Sequence, residues 1–261
     1  MREKSRAYIL ILLITFILFN SACGQSAGTV YVNEEKQAEK VTVLLNNDKY
    51  LLPLRNLSDA KIASIHFGYV YTAGFDSLLN KYAKIQSVSG NAYLGAKNLN
   101  DLSQELKFYN ILIVQLNDAD LNNQQIINFI QSNQKIKNVI VAFNGLSTGL
   151  AKLDGVTAPI LWSSQLSVVS TYHSAQAIFG GVAVTQKLID NYSPKYKVNM
   201  GFVTEKTRLQ YSVPEDVGIN ANNLLIIDEI AREAINARAT PGMVVLVAKD
   251  GKVIFLSLIH I

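Results

Sequence analysis

From Lys61 onward the chain alternates short apolar runs with stretches of helical spacing, and this alternation admits few architectures. The runs at 62–67, 85–88, 111–116, 139–143 and 160–162 are short and rich in Ile, Val, Leu and Phe, as strands buried on both faces are. Between them, Phe75, Leu78, Leu79 and Tyr82 share one helical face, as do Leu121, Ile126, Phe129 and Ile130. A third such face joins Val168, Val169, Tyr172 and the run from Ala175 to Phe179. Strands buried on both sides and separated by helices imply a mostly parallel sheet with helices on each face. Right-handed crossovers follow from strand twist. The predicted fold is therefore a doubly wound α/β layer, an α/β/α sandwich.

Beyond residue 190 the pattern changes. Residues 192–196 carry Pro194, residues 197–204 alternate like an edge strand, and Val213-Pro214-Glu215-Asp216 reads as a linker or turn. Residues 222–238 form an amphipathic helix with Leu224, Ile227, Ile230, Ala231, Ala234 and Ile235 on one side. After Pro241-Gly242, two β-rich runs at 243–248 and 253–255 flank Lys249-Asp250-Gly251-Lys252, and an Asp-Gly pair in that setting is a strong hairpin signal. One helix and one hairpin are too little to fold alone, so this part reads as an incomplete second domain.

Apolar residues make up 49% and charged residues 17%, which excludes wholesale disorder. A single cysteine excludes an internal disulfide framework and a Cys-rich zinc site. Three widely spaced histidines leave no metal centre to expect, and no motif asks for a cofactor. The net charge of +4 is concentrated at the start: removing residues 1–22 takes out Arg2, Lys4 and Arg6 against Glu3 and halves the excess. Nucleic acid is therefore not an expected partner.

Residues 1–22 read as a secretion signal, with Lys4 and Arg6 before the 13-residue apolar run AYILILLITFILF, too short to span a bilayer comfortably. Ser21-Ala22-Cys23-Gly24 resembles the lipobox of bacterial lipoproteins, although Asn20 stands where that pattern prefers an aliphatic residue. The resemblance implies lipidation at Cys23, a membrane partner held through acyl chains, and a place in the bacterial envelope on a periplasmic or outer-membrane face. Residues 23–40 are polar and are expected to form a tether.

Residues 41–57 (VTVLLNNDKYLLPLRNL) are similar to the start of the C-terminal α/β domain of glycoside hydrolase family 3. Residues 174–181 (SAQAIFGG) resemble the closing helix and Gly turn of that domain, and 181–188 match a following segment without its Pro and Gly. This resemblance covers 41–211. Residues 212–255 look like the start of a serine beta-lactamase-related domain, through VPEDVG, the amphipathic helix, Pro241-Gly242-Met243 and the hairpin. The same order occurs in envelope fusion proteins classed as beta-N-acetylglucosaminidases. The resemblance implies hydrolysis of O-glycosyl bonds, with a glycan or peptidoglycan-like substrate as partner.

Family 3 places its nucleophile on a barrel ahead of the α/β domain, and residues 23–41 leave no room for one. The serine hydrolase Ser-x-x-Lys lies beyond the first hairpin. No catalytic residue is therefore expected within this chain, and 256–261 (LSLIHI) reads as an artefactual tail. Two further readings stand beside the first: a lipid-anchored serine hydrolase whose catalytic part is missing, and a non-catalytic glycan-binding module.

Ligand-loop candidates follow the strands, where doubly wound folds bind ligands. Asp118 and Asp120 begin like a calcium loop, but Asn123 and Phe129 stand where Gly and Glu are required. Asp120 is more simply an N-cap. Asn144 and Gly145 open a second loop that lacks the Lys of a phosphate loop, and a helix start also explains it. Ser58–Lys61 and Ser132–Lys135 match Ser-x-x-Lys by four letters only and read as chance. His66, within an apolar strand, reads as a satisfied core imidazole; His173 and His260 receive no role.

Overall fold

The structure, a computed structural model, describes residues 26–95 and 98–260. Residues 1–22 and Cys23, where a signal and a lipid anchor are expected, lie outside the described residues. Among those described, no helix is long and apolar enough to cross a membrane.

The expected tether is instead a helix, α1 (Ala27–Val41), from its second turn of sequence onward. Ser26 caps it, its side chain accepting the Thr29 N–H at 3.2 Å. The helix is ordered by docking rather than by hydrophobicity. Ala38 is fully buried and Glu35 nearly so, and α1 packs against the last helix of the α/β layer and against the turn at Pro214–Val217. A Cβ at Gly28 would meet the Glu215 carboxylate at 2.1 Å, so this contact depends on glycine's missing side chain.

The main sheet has six strands: β1 (Thr42–Leu45), β2 (Ile62–His66), β3 (Ile85–Ser89), β4 (Ile111–Leu116), β5 (Asn138–Asn144) and β6 (Ile160–Ser163). Their spatial order is β1-β6-β5-β4-β2-β3, parallel throughout except that β1 runs antiparallel to β6. Four helices cover the faces: α2 (Thr72–Asn80), α3 (Leu99–Glu105), α4 (Gln124–Asn133) and α5 (Val168–Phe179). Because side chains alternate along a strand, the sheet feeds two cores. Ala63, Ile65, Leu112 and Val114 meet α3 and α4 through Leu102, Ile126 and Ile130. Ile62, Ile113 and Ile140 meet α2 and α5 through Phe75, Leu79 and Phe179. Each Ile, Leu, Val or Phe among them contributes about 1.5–3 kcal/mol on full burial. The doubly wound, mostly parallel α/β sandwich expected from periodicity is the fold observed.

Helix α5 ends on Gly180, whose φ of 77° is left-handed, and a Cβ there would meet Thr207 Oγ1 at 2.2 Å. Residues 197–204, expected as an edge strand, form no ladder. The chain touches β1 at one point, where the Phe202 N–H donates to the Leu44 carbonyl at 2.8 Å. The other backbone bonds that leave this segment go to residues 184–188 instead: the Leu188 N–H donates to Met200, the Asn199 N–H to Leu188 and the Thr204 N–H to Val184.

The C-terminal part is a small sheet of order β7-β9-β8, made of β7 (Gln210–Tyr211), β8 (Gly242–Lys249) and β9 (Lys252–His260), with helix α6 (Leu225–Asn236). Asp250 and Gly251 have φ of 52° and 73°, both positive as a tight hairpin turn requires. Residues 256–260, expected outside the fold, continue β9, with Leu256 opposite Leu246 and Ile259 opposite Met243. One face packs Ile259 on Ala231 and Ile235 of α6. The other leaves Val244, Leu246, Leu256 and Leu258 exposed.

Candidate functional site

In a doubly wound sheet, ligands bind where neighbouring strands send their connections to opposite sides. Here that point lies between β2 and β4, for β2 continues into β3 on one flank and β4 starts the opposite half. His66 pairs in register with Gln115 at the carboxyl ends of these strands. Ser64, two residues before His66, shares its face. That face meets Asp76, on the buried side of α2 beside Phe75.

Gln115 organises this layer. Its Nε2 donates to Ser64 Oγ at 2.8 Å and to Asp76 Oδ1 at 2.9 Å. Three buried atoms remain without a protein partner: Gln115 Oε1, Asp76 Oδ2 and His66 Nδ1. The expected satisfied imidazole at His66 is thus only half-buried, with one ring nitrogen unfilled. The nearby Tyr69 hydroxyl bonds Thr171 Oγ1 at 2.9 Å and is pushed up to about 12 by burial. Two adjacent buried acceptors without protein donors suit ordered water. Ser64 Oγ accepts from Gln115 and Thr171 Oγ1 bonds the Tyr69 hydroxyl, so neither is paired with a histidine or lysine. Among the described residues, no group of three His, Cys, Asp or Glu side chains is placed to hold a metal ion.

The loop candidates are brought to the same edge of the sheet, but their polar groups serve the loops. Both Asp118 carboxylate oxygens accept the Leu146 N–H at 3.0 Å. A Cβ at Gly145 would sit 2.7 Å from Asp118 Oδ1, so the two loops close only over glycine. Asn144, 2% exposed, donates to the Gln165 carbonyl at 3.2 Å and to Ser170 Oγ at 3.3 Å, tying β5 to the start of α5. The loop after it becomes a 3-10 turn at Ser147–Leu153 in place of an α-helix start.

Asp120 is not the N-cap of α4. Asn123 caps that helix, accepting the Gln125 N–H at 3.0 Å. Asp120 lies in the 3-10 turn before it and accepts the Asn117 N–H at 2.9 Å. Burial raises its carboxyl to about 6 against the lowering effect of that hydrogen bond. The intervening turn displaces the cap by three residues. Ser58 and Ser132 are both exposed, and Ser58 donates to Asn56 Oδ1.

Gln115 and Asp76 were not singled out by sequence pattern. A signal existed: Gln115 interrupts the apolar run ILIVQL, and Asp76 follows Phe75 on a face that must be buried.

No family model matches the sequence, and no curated protein matches it. A solved fungal multi-domain glycoside hydrolase family 3 β-N-acetylglucosaminidase, which carries a GCN5-related glucosamine N-acetyltransferase region, is similar in fold. The TM-score is 0.53 and the identity 15%, over 86% of this chain and 29% of that one. A glycoside hydrolase family 3 β-N-acetylglucosaminidase from Paenibacillus sp. str. FPU-7 aligns with TM-score 0.44 and 12% identity, over 62% of this chain and 34% of that chain. The chain thus spans about a third or less of the length of either protein.

Proposed function

We propose that this chain is a portion of a glycoside hydrolase family 3-related envelope protein, whose α/β layer holds glycan hydroxyl groups without cleaving them. The reading is carried by the position of the polar layer between β2 and β4, at the strand ends where doubly wound folds bind ligands, with Asp76 Oδ2 and Gln115 Oε1 buried beneath it and without a protein donor. The fold shared with the fungal β-N-acetylglucosaminidase supports the family, as do the residue resemblances at 41–57 and 174–181. Hydrolysis of O-glycosyl bonds in this setting needs a carboxylate nucleophile and a positioned proton donor across the sugar, which the family resemblance assigns to another part of the architecture. Lipidation at Cys23 would hold the protein on its membrane.

The test is incubation of the purified chain with a chromogenic β-N-acetylglucosaminide and, separately, sedimentation with insoluble peptidoglycan. No release of chromophore and retention on the glycan are expected. Hydrolysis, or the absence of retention, overturns the reading.

A second reading rests on one observation: α6 and the β8–β9 hairpin leave the apolar side chains Val244, Leu246, Leu256 and Leu258 uncovered. Such an open face fits the reading of these elements as the first of a serine beta-lactamase-related domain. Labelling of the chain by a fluorophosphonate ester would contradict an incomplete acyl-transfer site.

A further inference from the structure

A cleft of about 330 Å3 opens between α1, α5 and the strands β7 and β9. Its size is at the small end of ligand pockets, which run from ~300 to 1,000 Å3. Glu35 (8% exposed), His173 (2%) and Gln210 (8%) form the depth of the cleft, and Val32 and Val182 supply apolar wall. Lys206 stands exposed at the mouth.

Most of the polar groups here already answer one another. Gln210 Nε2 donates to Glu35 Oε1. Lys252 Nζ donates to Asp216 Oδ2, and Ser212 Oγ donates to the same oxygen at 2.7 Å. Glu39 and Lys36, three residues apart on α1, are exposed and of opposite charge. Two features remain. Both ring nitrogens of His173 are buried and without a partner, and Lys206, though in the field of the Glu35 and Asp216 carboxylates, makes no ion pair at contact distance among the described residues.

Burial pushes the His173 imidazole down to about 4, so it is neutral at ordinary pH and carries one N–H donor and one bare acceptor. Each is costly to leave unmade, by ~1–3 kcal/mol. A hydroxyl group both donates and accepts, and suits a neutral imidazole where a carboxylate, which only accepts, does not. The Lys206 ammonium at the mouth has the Glu35 and Asp216 carboxylates in its field but none in contact, which leaves its N–H donors open to an anion.

We propose that this cleft binds a small hydroxylated carboxylic acid, of the sugar-acid type, with a hydroxyl group on the His173 ring and the carboxylate on Lys206. The site lies on the α1 side of α5, away from the polar layer between β2 and β4, and does not rest on the glycan reading of that layer.

Titration calorimetry of the full chain with glucuronate as probe tests this, with glucose lacking the carboxylate and hexanoate lacking the hydroxyl groups as comparisons. Glucuronate is expected to bind at least tenfold more tightly than either. Lys206→Met, an exposed change that leaves the core intact, should weaken glucuronate binding about tenfold. With imidazole-labelled protein, the ring signals of His173 should move on adding glucuronate; His173→Phe identifies those signals among the three histidines. Equal binding of glucose and glucuronate, no effect of Lys206→Met, or unmoved His173 signals each overturns the proposal.

Discussion

Glu35 of α1 and Gln210 of β7 are 175 positions apart and share a buried hydrogen bond that ties the amino-terminal helix to the carboxyl-terminal sheet. Burial and the nearby Asp216 carboxylate push the Glu35 carboxyl up to about 7, from an ordinary value of 4.5. The folded state therefore binds this proton more tightly than the unfolded chain. The resulting stability is fully present below pH 4.5 and is lost as pH rises through 7. Glu35→Gln keeps an acceptor for Gln210 and removes the ionisation. Relative to wild type, it should gain on the order of 1–3 kcal/mol between pH 5 and pH 8. Urea melts at the two pH values measure this, and a difference between the proteins that does not change with pH would refute it.

Gly145→Ala places a methyl group 2.7 Å from Asp118 Oδ1 and 2.7 Å from the Phe143 ring. The two strand-end loops must part, and the Asp118 bond to the Leu146 N–H weakens. A loss of roughly 1–3 kcal/mol is expected in denaturant unfolding. An unchanged midpoint would mean that the loops are not closed on one another in solution.

Gln115→Leu preserves volume but removes the one donor shared by Ser64 and Asp76. Two buried acceptors then lose their partner, at a cost of about 1–3 kcal/mol. Peptidoglycan retention should fall with it. Full stability together with full retention would show that this amide does not organise the layer.

The strands and α5 were legible because their apolar residues repeat at the periods of strand and helix, and the Asp250-Gly251 turn because few residues tolerate two positive φ values in succession. Helix α1 was not, since its buried stripe centres on Glu35, a residue whose burial depends on Gln210 far along the chain. The same reason hid the polar layer. Gln115 meets Ser64 across 51 positions and Asp76 across 39, and no local period records such meetings. The loop residues Asp118, Asn144 and Gly145 were found because they follow strands, but position alone does not reveal whether a polar group is already satisfied.

The open face of the hairpin gives a prediction of almost no change. Val244, Leu246 and Leu258 are 65%, 51% and 69% exposed, so their methyl groups contribute little to the folded state. Replacing Leu246 and Leu258 together by Thr should shift stability by less than about 0.5 kcal/mol per site and reduce binding of a hydrophobic dye. A larger loss of stability would mean that the face is covered in solution.

Helix α1 docks against α5, the Pro214–Val217 turn and Gln210, all of which lie more than a hundred residues later in the chain. Docking therefore closes a long loop, and its entropic cost sets this contact behind the local contacts of the sheet. The helix then acts as a latch on the finished molecule. Its release should precede global unfolding, with α1 amides exchanging hydrogen sooner than those of β4 and β5, which lie at the centre of the sheet.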